Sequence, residues 1–144
     1  MWSAIFPVAK VCIGNHDNIQ GRKLVSGGVS KRWLKSPNEV LGVNWDFSEE
    51  FIIDNVTYTH GTGQKARMRA RNEMHSVVQG HFHSESYVEY YCGPDRLIFA
   101  MQVGAGIDRR SYAMSYGRNF KKPMINCGIV IDGTLPILEF MKLT

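Results

Sequence analysis

The stretch VCIGNHDN, residues 11–18, decides how this chain is interpreted, because an apolar run ends there in a cluster of polar side chains. Residues 8–13 are mostly apolar and predict a short buried strand that stops at Gly14. Asn15, His16 and Asp17 follow where this strand would meet solvent. In α/β proteins, such strand ends open into the crevice where ligands bind. The stretch therefore predicts a functional loop at the end of a strand.

Two later stretches repeat this pattern of an apolar run followed by Gly and His. YTHG at residues 58–61 follows the run at 51–56, and GHFH at residues 80–83 follows Ser-Val-Val at 76–78. The spacing of His81 and His83 predicts that both lie on one face of an extended strand. A single His at a strand end is often a hydrogen-bonded structural residue, and His75, outside every motif, receives that interpretation. Three repeats of the pattern instead indicate strand ends that converge on one site.

The ordered set GNHD, His-Gly and GHFH resembles the second half of the signature of the calcineurin-like metallophosphoesterases. The family pattern runs D-x-H, G-D-x-x-D, G-N-H-D/E, a lone His before Gly, and G-H-x-H. The last three blocks are present between residues 8 and 84, in that order. The first two blocks occur nowhere in residues 1–144. The resemblance therefore implies half of an enzyme site.

The resemblance also implies a role for each matching residue. Asn15, His60 and His81 would ligate one metal ion, and His83 would ligate a second. His16 would contact the substrate phosphate and assist the leaving group, while Asp17 would fix the tautomer of the His16 ring. A complete site of this kind holds two divalent ions, such as Mn²⁺, Fe²⁺/Fe³⁺ or Zn²⁺. The expected reaction is hydrolysis of phosphate monoesters or diesters.

The missing blocks would carry the carboxylates of such a site, whereas the four matching ligands are all neutral. A dication held only by neutral groups gains little attraction to offset its lost hydration. We therefore expect the isolated chain to bind one metal ion or none. The carboxylates would come from a separately encoded N-terminal half, or the chain is a degenerate relative. An uncovered parallel sheet edge favours association with such a partner or with a second copy.

The implied fold is α/β (α+β): a partial four-layer α-β-β-α sandwich that lacks the N-terminal β-α-β units, in one domain over residues 1–144. Residues 18–34 predict two short helices around Gly27-Gly28, and Ser36-Pro37-Asn38 predicts a turn. A hairpin with strands at 51–53 and 56–58 is predicted next. Later strands are predicted at residues 87–91, 97–101, 128–131 and 137–140.

A helix is predicted at residues 64–74, directly after the His60 loop. Its N-terminus would form an anion site beside that loop, because free N–H groups and the positive end of the helix dipole meet there. The helix also carries Arg67, Arg69 and Arg71, which are alternatively a solvated helix face.

Composition narrows the class of protein. The net charge of +4 is compatible with a phosphate-bearing partner. Cys12, Cys92 and Cys127 are odd in number and widely spaced, which indicates no disulfide framework and favours a reducing cytoplasm. The first residues lack the basic start of a signal peptide, and no run approaches the roughly 20 apolar residues of a membrane helix.

Residues 108–123 are basic and aromatic, as expected either of a nucleic-acid-binding loop or of a long surface connection. Three functions follow from the sequence. The chain is a metal-dependent phosphoesterase that is active in an assembly, an inactive module that binds a phosphate-bearing partner, or a nucleic-acid-binding protein.

Overall fold

A computed structural model describes residues 2–107 and 123–141. The chain divides into two compact units, Met1–Phe51 and Ile52–Thr144. Of the segment predicted as a basic, aromatic loop, all but Pro123 lies outside the described residues.

The first unit consists of short elements. They are helix α1 (Trp2–Ile5), strand β1 (Lys10–Cys12), helix α2 (Ile19–Ser26), a 3-10 turn (Lys31–Trp33), helix α3 (Pro37–Leu41) and strand β2 (Asp46–Ser48). Strands β1 and β2 form a two-stranded parallel sheet. The prediction of two short helices around Gly27-Gly28 is confirmed by α2 and the 3-10 turn. Among the residues of this unit whose burial is described, only Gly14 is buried.

The strand predicted at residues 8–13 is confirmed over Lys10–Cys12 as β1, but its predicted burial is wrong. Val8 is 84% exposed, because an apolar run forms a buried strand only where other elements cover it. The turn predicted at Ser36-Pro37-Asn38 is also wrong. Ser36-Pro37-Asn38 begins helix α3 instead of forming a turn. The Ser36 side chain accepts a hydrogen bond from the Glu39 N–H at 3.3 Å, and the Glu39 carboxylate accepts one from the Ser36 N–H at 2.7 Å. This reciprocal capping box stabilises the first turn of the helix.

The second unit is built on a five-stranded sheet. Strand β3 (Glu50–Ile53) contributes its last two residues to this unit. The other elements are β4 (Val56–Thr59), helix α4 (Ala66–Glu73), β5 (Ser76–Gln79), β6 (Tyr87–Cys92), β7 (Leu97–Gln102), β8 (Asn126–Ile131) and β9 (Leu135–Phe140). The sheet order is β3-β4-β5-β7-β6, with β4, β5 and β7 parallel and β6 antiparallel to β7. Strands β8 and β9 form a separate antiparallel pair. The predicted hairpin, the helix at 64–74 and the later strands are confirmed, with ends shifted by a few residues.

Apolar side chains cover both faces of the five-stranded sheet. On one face, Ala66 and Ala70 of α4 pack against Val77 and Ala100, and these small side chains allow close approach of the helix. On the other face, a second core cluster joins sheet residues to the β8–β9 pair; its members are Val56, Phe99 and Met101, with Val130 and Leu138 packed against them. The fold of this unit is therefore mixed α+β. No helix in residues 2–107 or 123–141 is long and apolar enough to cross a membrane.

Candidate metal centre

His60 and His81 meet at one edge of the five-stranded sheet. His60 follows the last residue of β4, and His81 follows β5 after Gly80. Because β4 and β5 are adjacent and parallel, with Thr59 paired to Gln79, their carboxyl ends lie at the same edge. The Nε2 atom of His60 lies 3.2 Å from the Nδ1 atom of His81, and the two rings meet edge to face. The structure thus brings together two of the residues that the sequence singles out as metal ligands.

The separation of these nitrogens fits two ligands of one metal ion. Zinc–imidazole bonds are about 2.0–2.1 Å long, so two nitrogens on one ion lie roughly 3.4 Å apart at a tetrahedral angle and about 2.9 Å apart at a right angle. The observed 3.2 Å lies between these limits, and it is also the length of a hydrogen bond between the two rings. An imidazole pair suits Zn²⁺ or iron, whereas Mn²⁺ prefers carboxylate, carbonyl and water oxygens. The donor set therefore favours Zn²⁺ or iron at this position.

In the part of the chain that the structure describes, His60 and His81 do not belong to a larger cluster of candidate metal ligands. Over residues 2–107 and 123–141, no group of three or more His, Cys, Asp and Glu side chains is arranged to hold a metal ion. His83 is exposed, and it does not join His60 and His81 in such a group. Its main-chain carbonyl accepts a hydrogen bond from the Met124 N–H at 2.8 Å.

The backbone at His81 corrects the expectation that His81 and His83 share one face of an extended strand. Strand β5 ends at Gln79, and His81 has a φ of +70°. The Phe82 N–H donates to the Gly80 carbonyl at 2.9 Å, so the chain makes a three-residue turn centred on His81. A positive φ with this bond is the pattern of the rare, strained form of the γ-turn. The turn, rather than strand alternation, sets the direction of the His81 ring.

A glutamine holds the loop that follows His60. Gly61 has a φ of +85°, and a Cβ atom there would lie 2.4 Å from the side-chain amide carbon of Gln79. Gln79 is 1% exposed, and its amide donates to the Gln64 carbonyl at 2.6 Å. The sequence analysis missed Gln79, although a buried amide directly before the GHFH motif was the available signal.

The predicted anion site at the N-terminus of α4 is wrong. The Ala66 N–H donates to Oε1 of Gln102 at 3.2 Å, and the Arg67 N–H donates to the Tyr87 hydroxyl at 3.2 Å. The Met68 N–H donates to the Lys65 carbonyl at 3.0 Å. Protein oxygens thus occupy the donors that an anion would need.

The arginines of α4 are anchored to neighbouring side chains, which argues against a freely solvated face. The Arg67 guanidinium lies 4.1 Å from the centre of the Tyr87 ring and pairs with Glu89 at 2.9 Å. Arg71 lies 5.9 Å from the centre of the Tyr91 ring. Arg69 pairs with Glu73 one helical turn away, at 2.7 Å.

The GNHD loop belongs to the first unit. Asn15 is half-buried, whereas His16 and Asp17 are exposed. The Asp17 carboxylate accepts a hydrogen bond from the Gly14 N–H at 2.7 Å, which closes the loop after β1. This bond gives Asp17 a structural task that the sequence analysis did not anticipate, although short carboxylates that bond to nearby backbone are common in turns.

His75 belongs to neither the His60 loop nor the His81 loop, as expected. It precedes β5, whereas His81 follows the other end of that strand. Its Nδ1 atom lies 3.2 Å from the Thr57 hydroxyl and 3.1 Å from the Ser76 carbonyl. Because a carbonyl can only accept, the short contact to Ser76 favours the tautomer with hydrogen on Nδ1. His75 is therefore a suitable control for substitutions at the His60–His81 pair.

Comparison with known proteins adds no relative: no family model, no curated protein and no solved structure matches this chain.

Proposed function

We propose that this chain supplies the histidine side of a metallophosphoesterase site, which hydrolyses phosphate monoesters or diesters once carboxylates are added from outside residues 1–144. One observation carries the proposal. His60 Nε2 and His81 Nδ1 lie 3.2 Å apart at the ends of two adjacent parallel strands. These two residues belong to motifs that the sequence analysis had already linked to one metal ion.

A divalent ion at this pair would supply charge neutralisation and an activated water for attack on phosphorus. The chain's own contribution is to hold two imidazole rings with Nε2 of His60 and Nδ1 of His81 facing each other. His16 and Asp17 keep the roles that the resemblance implies, namely contact with the phosphate and orientation of the His16 ring. His83 likewise remains the proposed ligand of a second ion.

The proposed partner is a polypeptide of different sequence that carries the D-x-H and G-D-x-x-D blocks. The electrostatic reason is that two neutral imidazoles compensate poorly for the dehydration of a dication. The packing of the first unit also supports a partner. Its large apolar side chains are widely exposed, including Val8 at 84%, Trp33 at 72% and Val40 at 66%. Parallel sheets are normally covered on both faces. The parallel sheet of this unit is only the β1–β2 pair, and Gly14 is the one buried residue among those whose burial is described in the unit.

Zinc titration of the isolated chain tests the first part of the proposal. We expect weak binding of one Zn²⁺ ion by calorimetry, loss of binding in His60→Ala and His81→Ala, and unchanged binding in His75→Ala. Equal binding by all three variants would place the metal elsewhere and overturn the assignment.

Turnover of a generic aryl phosphodiester tests the second part. The isolated chain should show negligible turnover with Zn²⁺, Mn²⁺ or Fe²⁺. A co-purified chain that carries both carboxylate blocks should restore it. Robust turnover by the isolated chain, abolished by His81→Ala, would show that the carboxylates are unnecessary. Light scattering that shows a stable homodimer without turnover would assign the exposed apolar surface to self-association and remove the packing support for a partner of different sequence.

The alternative is an inactive module that binds phosphate or nucleic acid through the same loops. It loses one expected support, because the first N–H groups of α4 are bonded to Gln102 and Tyr87. Phosphate binding without turnover, even in the presence of the carboxylate-bearing chain, would favour this alternative.

A further inference from the structure

The strained turn at His81 needs a structural cause. Backbone in sparsely populated conformations persists only where the surroundings hold it, and such positions cluster at functional sites. His81 has a φ of +70°, and its turn is closed by the bond from the Phe82 N–H to the Gly80 carbonyl. The groups that hold the Gly80 carbonyl therefore control where the His81 ring points.

Gln102, the last residue of β7, is the side chain placed to do this. It is completely buried, and its side chain is hydrogen-bonded to the first residue of the turn. Its Nε2 group donates to the carbonyl of Gly80 and, at 3.0 Å, to the carbonyl of Gln79. Its Oε1 atom accepts from the Ala66 N–H at the start of α4, at 3.2 Å. One buried amide thus joins the end of β5, the His81 turn and the helix.

We propose that Gln102 is a positioning residue for His81: by fixing the Gly80 carbonyl, it keeps the turn closed and directs Nδ1 of His81 towards Nε2 of His60. The consequence for metal binding rests on the proposed function, whereas the effect on the ring does not. A methionine or leucine of similar volume would fill the same space, but it could not donate to a carbonyl. The amide is therefore needed for direction rather than for packing.

Gln79 does the corresponding work on the His60 side. Its side chain lies under Gly61, and its amide holds the Gln64 carbonyl. Its main-chain carbonyl is in turn held by Gln102 and by the Val103 N–H at 2.8 Å. The two glutamines thus form one hydrogen-bonded network that contacts the His60 loop and the His81 turn.

Substitution of Gln102 separates positioning from general stability. Gln102→Met removes both hydrogen-bonding functions at nearly constant length. When ionised, Gln102→Glu keeps an acceptor for the Ala66 N–H but removes the donor to the Gly80 and Gln79 carbonyls, so it separates the contacts to the end of β5 and the turn from the contact to α4. Ser76→Ala is the matched control, because Ser76 is also buried in this sheet and its hydroxyl accepts from the Phe99 N–H at 3.3 Å, away from Gly80.

Three measurements on the full chain decide the matter: the free energy of unfolding in urea, the ring nitrogen chemical shifts of His60 and His81 without metal, and the Zn²⁺ affinity. In both Gln102 variants, we expect changed His81 ring shifts and a Zn²⁺ affinity lowered by about 10–100-fold, the range typical of lost outer hydrogen bonds at metal sites. Ser76→Ala should lose stability but keep the wild-type shifts and affinity.

Wild-type ring shifts in Gln102→Met and Gln102→Glu would overturn the positioning role. The same result follows if Ser76→Ala changes the His81 ring as strongly as they do, because the effect would then be general destabilisation. If the wild-type chain binds no Zn²⁺ alone, the affinities are compared in the complex with the carboxylate-bearing chain. Absence of binding there would refute the proposed function, whereas the ring shifts still decide whether Gln102 positions His81.

Discussion

The two units support similar loops in different ways. In the second unit, the His60 and His81 loops end strands of a sheet that buries Val56, Val77 and Phe99 almost completely. In the first unit, the GNHD loop follows the three-residue strand β1, and Gly14 is the one buried residue among those whose burial is described. A Gly-His motif therefore reveals where a strand ends, but not whether a core stands beneath it. The difference predicts that substitutions of equal chemistry will have unequal effects in the two units.

The largest difference should appear on truncation of an aromatic side chain in each unit. Phe99 is 1% exposed and belongs to the core cluster that also contains Val56 and Met101. Phe99→Ala should therefore lower the free energy of unfolding by about 3–5 kcal/mol. Trp33 is 72% exposed, and Trp33→Ala should change it by less than about 0.5 kcal/mol. Urea denaturation measures both. A large loss in Trp33→Ala alone would show that the first unit contains the dominant core.

Two glycines beside His60 provide a finer test within the second unit. Gly61 and Gly63 both have positive φ, but only at Gly61 would a Cβ atom collide with Gln79. The backbone cost of a left-handed residue is about 1–2 kcal/mol. Gly63→Ala should show that cost alone in thermal denaturation. Gly61→Ala should exceed it and should also weaken Zn²⁺ binding, since it displaces the loop beside His60. Equal losses of stability would mean that Gln79 moves aside freely.

Alkaline pH should destabilise the second unit through Tyr58. Burial, with a smaller contribution from Asp54, raises the pKa of the Tyr58 phenol above its ordinary value of 10.0. The folded state therefore favours the neutral phenol, so its stabilising contribution is complete below pH 10 and is lost as the pH rises through the folded-state pKa. Urea midpoints between pH 8 and pH 11 should fall less steeply for Tyr58→Phe than for the wild type. Parallel curves would assign the alkaline loss to other groups.

Acid should act on the first unit through Glu39, with the smallest effect of the four. The hydrogen bonds from the Ser36 side chain and backbone lower the pKa of the Glu39 carboxyl below its ordinary value of 4.5. Ionised Glu39 therefore stabilises α3 above pH 4.5, and this contribution is lost as the pH falls through the lowered folded-state pKa. Amide exchange at α3 should accelerate in that range in the wild type and stay nearly constant in Glu39→Gln. Identical acid profiles for the wild type and Glu39→Gln would show that the capping box does not stabilise α3.

The outcome at particular residues shows what the sequence can predict. The β3–β4 hairpin and α4 were predictable because the Asp54-Asn55 turn and the run of helix formers are local signals. Helix α3 was also predictable in principle, since Ser36, Pro37 and Glu39 form the pattern of a capping box with proline at the first helical position. Ser-Pro-Asn also favours a turn, but the reciprocal hydrogen bonds between Ser36 and Glu39 stabilise the helix instead.

Other features depend on contacts distant in the sequence. The exposure of Val8 depends on which elements cover β1, and an apolar run alone does not specify them. The positive φ of His81 depends on a hydrogen bond from Gln102, which lies 22 residues beyond Gly80. Pattern reasoning placed His60 and His81 at neighbouring strand ends, but the direction of their rings is a tertiary property.

The histidine pair also bears on the order of events in folding. The two rings are separated by only 21 positions and are joined by a single β4–α4–β5 crossover. The entropy of closing a loop grows slowly with length, at about 0.6 kcal/mol per doubling, and short closures are fast. The pair can therefore form before the β8–β9 hairpin has packed against Val56, which lies more than 70 positions earlier in the chain than Val130. Insertions into the connections beyond β7 should leave its geometry intact, but a graft of the pair onto another sheet must carry β7 with Gln102 as well as the crossover from β4 to GHFH.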